Sequence, residues 1–244
     1  MRIKDKRCST GYKTKMILLV IFLLLLTLTE KSTLMAQNFD KLRDDMVEYQ
    51  LRRRDIKSKT VLDAMRTVPR HLFVPTEMQS FAYQDSPLPI GLDQTISQPY
   101  IVAFMTEQLR PVAGMKILEI GTGSGYQAAI LAYLGCEVYT IELLDELAQR
   151  ATQTLTALNF DKVKVKSGNG YAGWPEEAPF DAVIVTAAPD KIPGALIDQL
   201  KDGGQMIVPV GPVHDTQLLK LITKKGNRIT EKDLLLVRFV PMVE

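Results

Sequence analysis

In the second half of the chain, short apolar blocks alternate with stretches of helical periodicity. Met115–Ile120, Glu137–Ile141, Val163–Ser167, Ala182–Thr186 and Gln205–Val210 read as strands. Between them Tyr126–Leu134, Asp145–Leu158 and Pro193–Leu200 read as helices, the last ended by D-G-G. Short continuous apolar strands that alternate with helices predict a parallel sheet covered on both faces. Leu218–Thr223 and Leu234–Val240 flank K-K-G-N-R, which predicts a terminal antiparallel hairpin.

The first half has a different rhythm. From Asn38 to about Phe81 the pattern is helical and highly charged. Leu42, Met46 and Tyr49 recur at three- and four-residue intervals, and Val61, Leu62 and Met65 repeat this behind K-S-K-T. V-P-R-H-L-F-V-P, Val68–Pro75, breaks the helix with two prolines. Residues 84–99 are rich in Pro, Gly, Ser, Thr and Gln and read as a structured loop, and Tyr100–Leu109 reads as a helix again.

The amino end stands apart. Met1–Lys15 carries six basic residues against Asp5, and Met16–Leu28 is thirteen residues without a charge. A membrane span needs about 20 apolar residues, so a basic region followed by a short apolar run predicts a signal peptide cleaved after Ala36. Leu34 departs from the small residue such a site prefers, and an uncleaved anchor is the alternative. The leader also hides the charge of the body. Removing its seven Lys/Arg and two Asp/Glu from the chain's 30 and 28 leaves 23 against 26, a net −3 where the whole chain has +2. A mildly acidic body is poorly suited to phosphate backbones, so no nucleic-acid partner is expected. Cys8 goes with the leader and Cys136 is left alone, so no disulfide framework exists. His71 and His214 have no companions at metal-ligand spacing, so no metal is expected.

Chemistry enters at L-E-I-G-T-G-S-G-Y, Leu118–Tyr126, which follows a strand and opens a helix. Glycines let a backbone turn sharply against a ligand, and a helix amino end offers unpaired N–H groups. A dinucleotide fold wants G-x-G-x-x-G, but Tyr126 occupies the third glycine place, which disfavours a nicotinamide oxidoreductase. The glycines run G-x-G-x-G instead, a spacing that resembles the first motif of S-adenosylmethionine-dependent methyltransferases. Glu142 lies twenty-one residues after Gly121, just past the second strand of the alternating region, where an acid can accept both ribose hydroxyls. S-G-N-G-Y, Ser167–Tyr171, follows the third of these strands. In the resembled fold this loop meets the adenine and usually has Asp between the glycines, where this chain has Asn169. Asn169 and Gly170 are therefore candidate cofactor contacts, together with Glu119, Gly121, Thr122, Gly123, Gly125 and Glu142.

D-S-P-L-P-I-G-L-D-Q-T-I-S-Q-P-Y, Asp85–Tyr100, closely resembles protein-L-isoaspartate (D-aspartate) O-methyltransferases. So do V-P-R-H-L-F-V-P, the glycine loop, A-P-F-D-A-V-I-V-T-A-A-P, L-I-D-Q-L-K-D-G-G, P-V-G and the closing V-R-F-V-P-M. The resemblance runs from about Leu42 to Val243. It implies a doubly wound α/β fold of the class I S-adenosylmethionine-dependent type. Residues 110–244 would form the core, 37–109 a helical and substrate-loop region, and 1–36 the leader. It implies repair: methyl transfer to the free α-carboxylate of isoaspartyl or D-aspartyl residues in damaged proteins, giving an ester that closes to succinimide.

That reaction explains a serine with no base beside it. The acceptor carboxylate has a solution pKa near 4 and is already anionic at neutral pH. The site needs positioning, which neutral donors supply. Ser97 is the candidate catalytic residue, and Thr95, Ile96, Ser97, Ala188 and Pro189 are the candidate substrate contacts. Thr186-Ala187-Ala188-Pro189 lacks the Asn/Asp-Pro-Pro-aromatic run of amino-group methyltransferases. A small-molecule O-methyltransferase and a non-catalytic S-adenosylmethionine-binding protein on the same fold are the competing readings. The leader predicts export with membrane association only through itself, whereas the resemblance implies the cytoplasm. A monomer is expected.

Overall fold

A computed structural model describes Met16, Leu18, Leu19, Phe22, residues 38–212 and residues 215–244. Most of the predicted leader, and His214, lie outside the described residues. The chain divides into two units, Met1–Leu42 and Arg43–Glu244. In the first, Met16, Leu18, Leu19 and Phe22 are helical and exposed. No helix among the described residues is long and apolar enough to cross a membrane.

The second unit is built on a seven-stranded sheet, in the order β5-β4-β3-β6-β7-β8-β9. Its strands are β3 (Lys116–Ile120), β4 (Glu137–Glu142), β5 (Lys164–Ser167), β6 (Phe180–Val185), β7 (Leu200–Val210), β8 (Gln217–Lys225) and β9 (Arg228–Val237). Strands β5, β4, β3, β6 and β7 run parallel, and β8 and β9 close the sheet antiparallel. Period-two geometry sends Leu118 and Ile120 into one core with Tyr139, Ile141, Val183, Val185, Met206 and Val208. Ile117 and Glu119 point to the opposite face. Both faces are filled, so the parallel strands read as apolar runs.

The helices of this unit are α1 (Lys59–Thr67), α2 (Pro99–Leu109), α3 (Tyr126–Tyr133), α4 (Asp145–Ala157) and α5 (Gly194–Asp198). Ser58 caps α1 by accepting from the Val61 N–H, and Pro99 opens α2 at a position where its missing N–H is harmless. The charged first segment is less regular than its pattern predicts. A π-helical stretch, Met46–Arg52, precedes α1, and two 3₁₀ turns, Arg70–Phe73 and Thr76–Phe81, follow it. The prolines at 69 and 75 sit at the starts of these two turns.

Three boundaries differ from the sequence expectation. The loop 84–99 holds a small hairpin, β1 (Leu88–Gly91) with β2 (Gln94–Ile96). Its tip, Leu92 and Asp93, has φ of 53° and 57°, the form of a two-residue hairpin turn usually built from Asn and Gly. Leu-Asp hides that turn. The D-G-G expected to end a helix lies inside β7, which starts at Leu200 after the short α5. The last strand runs over Arg228–Val237 and not over Leu234–Val240. Arg228–Asp233 is exposed at the sheet edge and polar but for Ile229, so it has no apolar alternation to detect. Beyond Val237 the chain leaves the sheet, and Ala188 bridges to Pro241.

Candidate functional site

The glycine loop turns off the end of β3, a central strand of the sheet. The N–H groups of Gly121 and Thr122 donate to the Ile141 carbonyl at 2.8 and 3.2 Å, which ties the loop to β4. Gly121 has φ of +95°, and a Cβ there would lie 2.5 Å from the Thr186 hydroxyl oxygen. That hydroxyl donates to the Gly121 carbonyl at 2.6 Å, so the loop passes β6 with no room for a side chain. Gly125, with φ of +85°, caps α3. The amino end of α3 therefore opens beside the loop, an arrangement suited to a polar ligand.

Two carboxyl groups face this corner. Glu142 is held at both oxygens: the Gly123 N–H donates to Oε2 at 2.7 Å and the Leu144 N–H to Oε1 at 3.1 Å. Glu119 is fully buried. The Thr140 hydroxyl donates to its Oε2 at 2.6 Å, while its Oε1 has no partner. Burial, reinforced by the charge of Glu142, pushes the Glu119 carboxyl up to about 8 against the pull of the Thr140 hydrogen bond. Protonated at neutral pH, this carboxyl has one oxygen that finds no partner among the described residues and is free to form a hydrogen bond with a ligand.

The corner opens into a cleft that is continuous with solvent. One wall is the glycine loop with Glu119, Glu142, Leu143 and Leu144. Gln94–Ile96 of the hairpin and Ser97 just after it also line the cleft. Thr186, Ala187 and the carboxyl-terminal stretch Val240–Val243 complete the enclosure. No Lys, Arg or His lines this cleft among the described residues.

Of the candidates named from sequence, the cleft gathers Thr95, Ile96, Ser97, Glu119, Gly121, Thr122, Gly123, Glu142 and Gly170. The other four sit just behind its wall. Gly125 is the α3 cap. Asn169 is exposed and its Oδ1 accepts from the Tyr171 N–H at 2.8 Å, closing the turn that presents Gly170. Ala188 is buried, and its N–H and carbonyl pair with Val240 and Met242 at 2.8 Å each, which holds the carboxyl-terminal stretch in place. Pro189 accepts from the Gly211 N–H at 3.2 Å. Sequence reasoning did not assign Val240–Val243, Leu143 or Leu144 to the site. The closing V-P-M was legible as a motif, but nothing in its spacing shows where an extended tail will dock.

Together the fold and this corner define an S-adenosylmethionine-dependent methyltransferase. Residues 41–244 match the family model for protein-L-isoaspartate (D-aspartate) O-methyltransferase, and the chain belongs to that family. Protein-L-isoaspartate O-methyltransferase of Gloeobacter violaceus is 55% identical over 197 residues, 81% of this chain and 96% of that one. The enzyme of the same name from Opitutus terrae is 54% identical over 199 residues, 82% of this chain and 85% of that one. A solved structure from Plasmodium falciparum, titled as this enzyme in complex with S-adenosyl-L-homocysteine, superposes with a TM-score of 0.73 at 27% identity, covering 82% of this chain and 98% of that one. The protein is an S-adenosylmethionine-dependent protein-L-isoaspartate O-methyltransferase, and the small-molecule and non-catalytic readings are not favoured.

Proposed function

We propose that Ser97, with Thr95 and backbone groups of the β2 edge, holds the isoaspartyl α-carboxylate against the cofactor corner. The observation that carries this reading is the make-up of the cleft. Hydroxyl-bearing residues share the lining with a glycine loop and two carboxyls, and no cation lies in it among the described residues. A carboxylate acceptor needs no general base, because it is anionic at neutral pH. A lysine or arginine would grip the ground-state anion and then face a neutral ester, whereas neutral donors hold both. S-adenosylmethionine, bound at the glycine loop, supplies a methyl group activated by a sulfonium. Glu142 would accept the ribose hydroxyls, the Gly121–Gly125 loop would take close backbone approach, and Gly170, on the turn that Asn169 closes, would meet the adenine. Glu119 would bond a polar group of the cofactor through its partnerless oxygen. Ala188 would act through the tail it holds, and Pro189 through its bond to Gly211 beside that tail's anchor. Residues damaged to isoaspartate or D-aspartate in proteins are the acceptors, and the chain works as a monomer.

Ser97→Ala tests the positioning role. The loss of one neutral donor corresponds to about 1–3 kcal/mol, so kcat/KM for an isoaspartyl peptide should fall about ten- to a hundredfold while cofactor affinity holds. An unchanged kcat/KM would remove Ser97 from the mechanism.

We also propose that the leader directs export. The basic start and the short apolar run support it.

A further inference from the structure

Arg70 is fully buried, and no carboxylate among the described residues forms an ion pair with it. Its Nε donates to the Ala82 carbonyl at 2.7 Å, and its Nη2 donates to the Ser97 carbonyl at 2.7 Å. Its guanidinium lies 5.0 Å from the ring centre of Tyr126, which lines the cofactor corner as the first residue of α3. Nη1 has no partner. One side chain thus joins three distant stretches of chain: Ala82, Ser97 and Tyr126. Burial lowers its pKa to about 10, so it stays charged at neutral pH.

Ser97 needs such a fastening. The β1–β2 ladder ends at the Leu88–Ile96 pair, and α2 starts only at Pro99. Ser97 and Gln98 therefore lie between regular elements. Gln98 is fixed by its side-chain amide, which donates to the Asp85 carbonyl at 3.1 Å and to its Oδ1 at 2.8 Å. Ser97 is fixed through Arg70. A buried cation without a carboxylate partner is a poor stabiliser compared with an apolar side chain of similar size. Its presence where local rules disfavour it points to the site and not to the core.

We infer that Arg70 is the positioning residue of the substrate loop: its guanidinium replaces strand pairing at Ser97 and registers that residue against Tyr126 at the cofactor corner. This rests on the role proposed above for Ser97. The planar fork is essential, because an ammonium on a flexible stem cannot reproduce two fixed carbonyl bonds to Ala82 and Ser97.

The test compares wild type, R70K, S97A and the double variant R70K/S97A, in full-length protein. Two readouts are taken: methyl transfer to an isoaspartyl peptide, and amide hydrogen exchange over residues 94–98. R70K should lower kcat/KM about tenfold or more, with cofactor affinity within about twofold of wild type. The double variant should be no slower than S97A alone, since the effect of Arg70 passes through Ser97. Exchange over 94–98 should speed up about tenfold in R70K while β3 and β6 stay protected. R70M, with no donor at all, should show both effects and covers a failure of R70K to fold. Independent, multiplicative losses in the double variant would overturn the inference, as would unchanged exchange over 94–98. A wild-type protein that transfers no methyl would fail the Ser97 reading instead, and the exchange result would still decide the role of Arg70.

Discussion

Glu119 is the residue whose surroundings most determine its chemistry. It sits at a fully buried position of a central strand, with one oxygen bound by Thr140 and the other without a partner. Its folded-state pKa, about 8, lies above the unfolded carboxyl value of 4.5. The protonated form therefore favours the fold. That contribution is complete below the unfolded value and is lost as pH rises through the folded one. Urea unfolding at pH 5 and pH 9 should show wild type losing on the order of a few kcal/mol relative to Glu119→Gln, which carries no titrating group there. Parallel losses in the two proteins would show that Glu119 does not govern this pH range. The sequence marked Glu119 as a candidate through its place in the glycine motif. Its burial and orphan oxygen follow from the sheet order, which no local pattern displays. Arg70 was equally hidden: V-P-R-H-L-F-V-P reads as a helix breaker, and only the tertiary fold carries its guanidinium to Ser97.

Among elements, those with strong periodicity were legible and those held by tertiary context were not. The parallel strands follow from apolar runs, α1 and α4 from 3.6-residue spacing, and α2 and α3 from apolar stretches that open after Gln98 and after the glycine loop. The β1–β2 hairpin escaped because its turn uses Leu92 and Asp93 where Asn and Gly are usual, both at positive φ. A left-handed position holds a leucine at a cost of about 1 kcal/mol. Leu92→Gly should recover a comparable amount, measured as a shift in urea midpoint, and a loss of stability would show that Leu92 makes a compensating contact. The tail is the second such element. Beyond β9 it has no ladder, yet Ala188 clasps it on both sides and the Tyr171 hydroxyl donates to the Met242 carbonyl at 3.0 Å. Deleting Val240–Glu244 should open the cleft and weaken S-adenosylhomocysteine binding about tenfold or more by calorimetry. Unchanged affinity would confine the tail to a structural role.

For the whole molecule, residues 41–244 carry the methyltransferase match, and residues 1–36 are proposed to direct export. Without the leader the body is mildly acidic, and the cleft has no lining cation among the described residues. Such a surface suits an acceptor chosen by backbone shape more than by charge. If the leader is processed as proposed, terminal sequencing of the mature protein after fractionation should find Gln37 in the exported fraction. A chain beginning at Met1 in the cytoplasmic fraction would contradict export. The central claim is more direct: the site distinguishes a carboxylate by position along a peptide. The decisive measurement offers purified protein and labelled S-adenosylmethionine to two peptides that differ only in an isoaspartyl or a normal aspartyl linkage. Base-labile methyl ester on the isoaspartyl peptide alone is the expected result. Equal labelling of both peptides, or labelling of neither while the cofactor binds, would contradict the account.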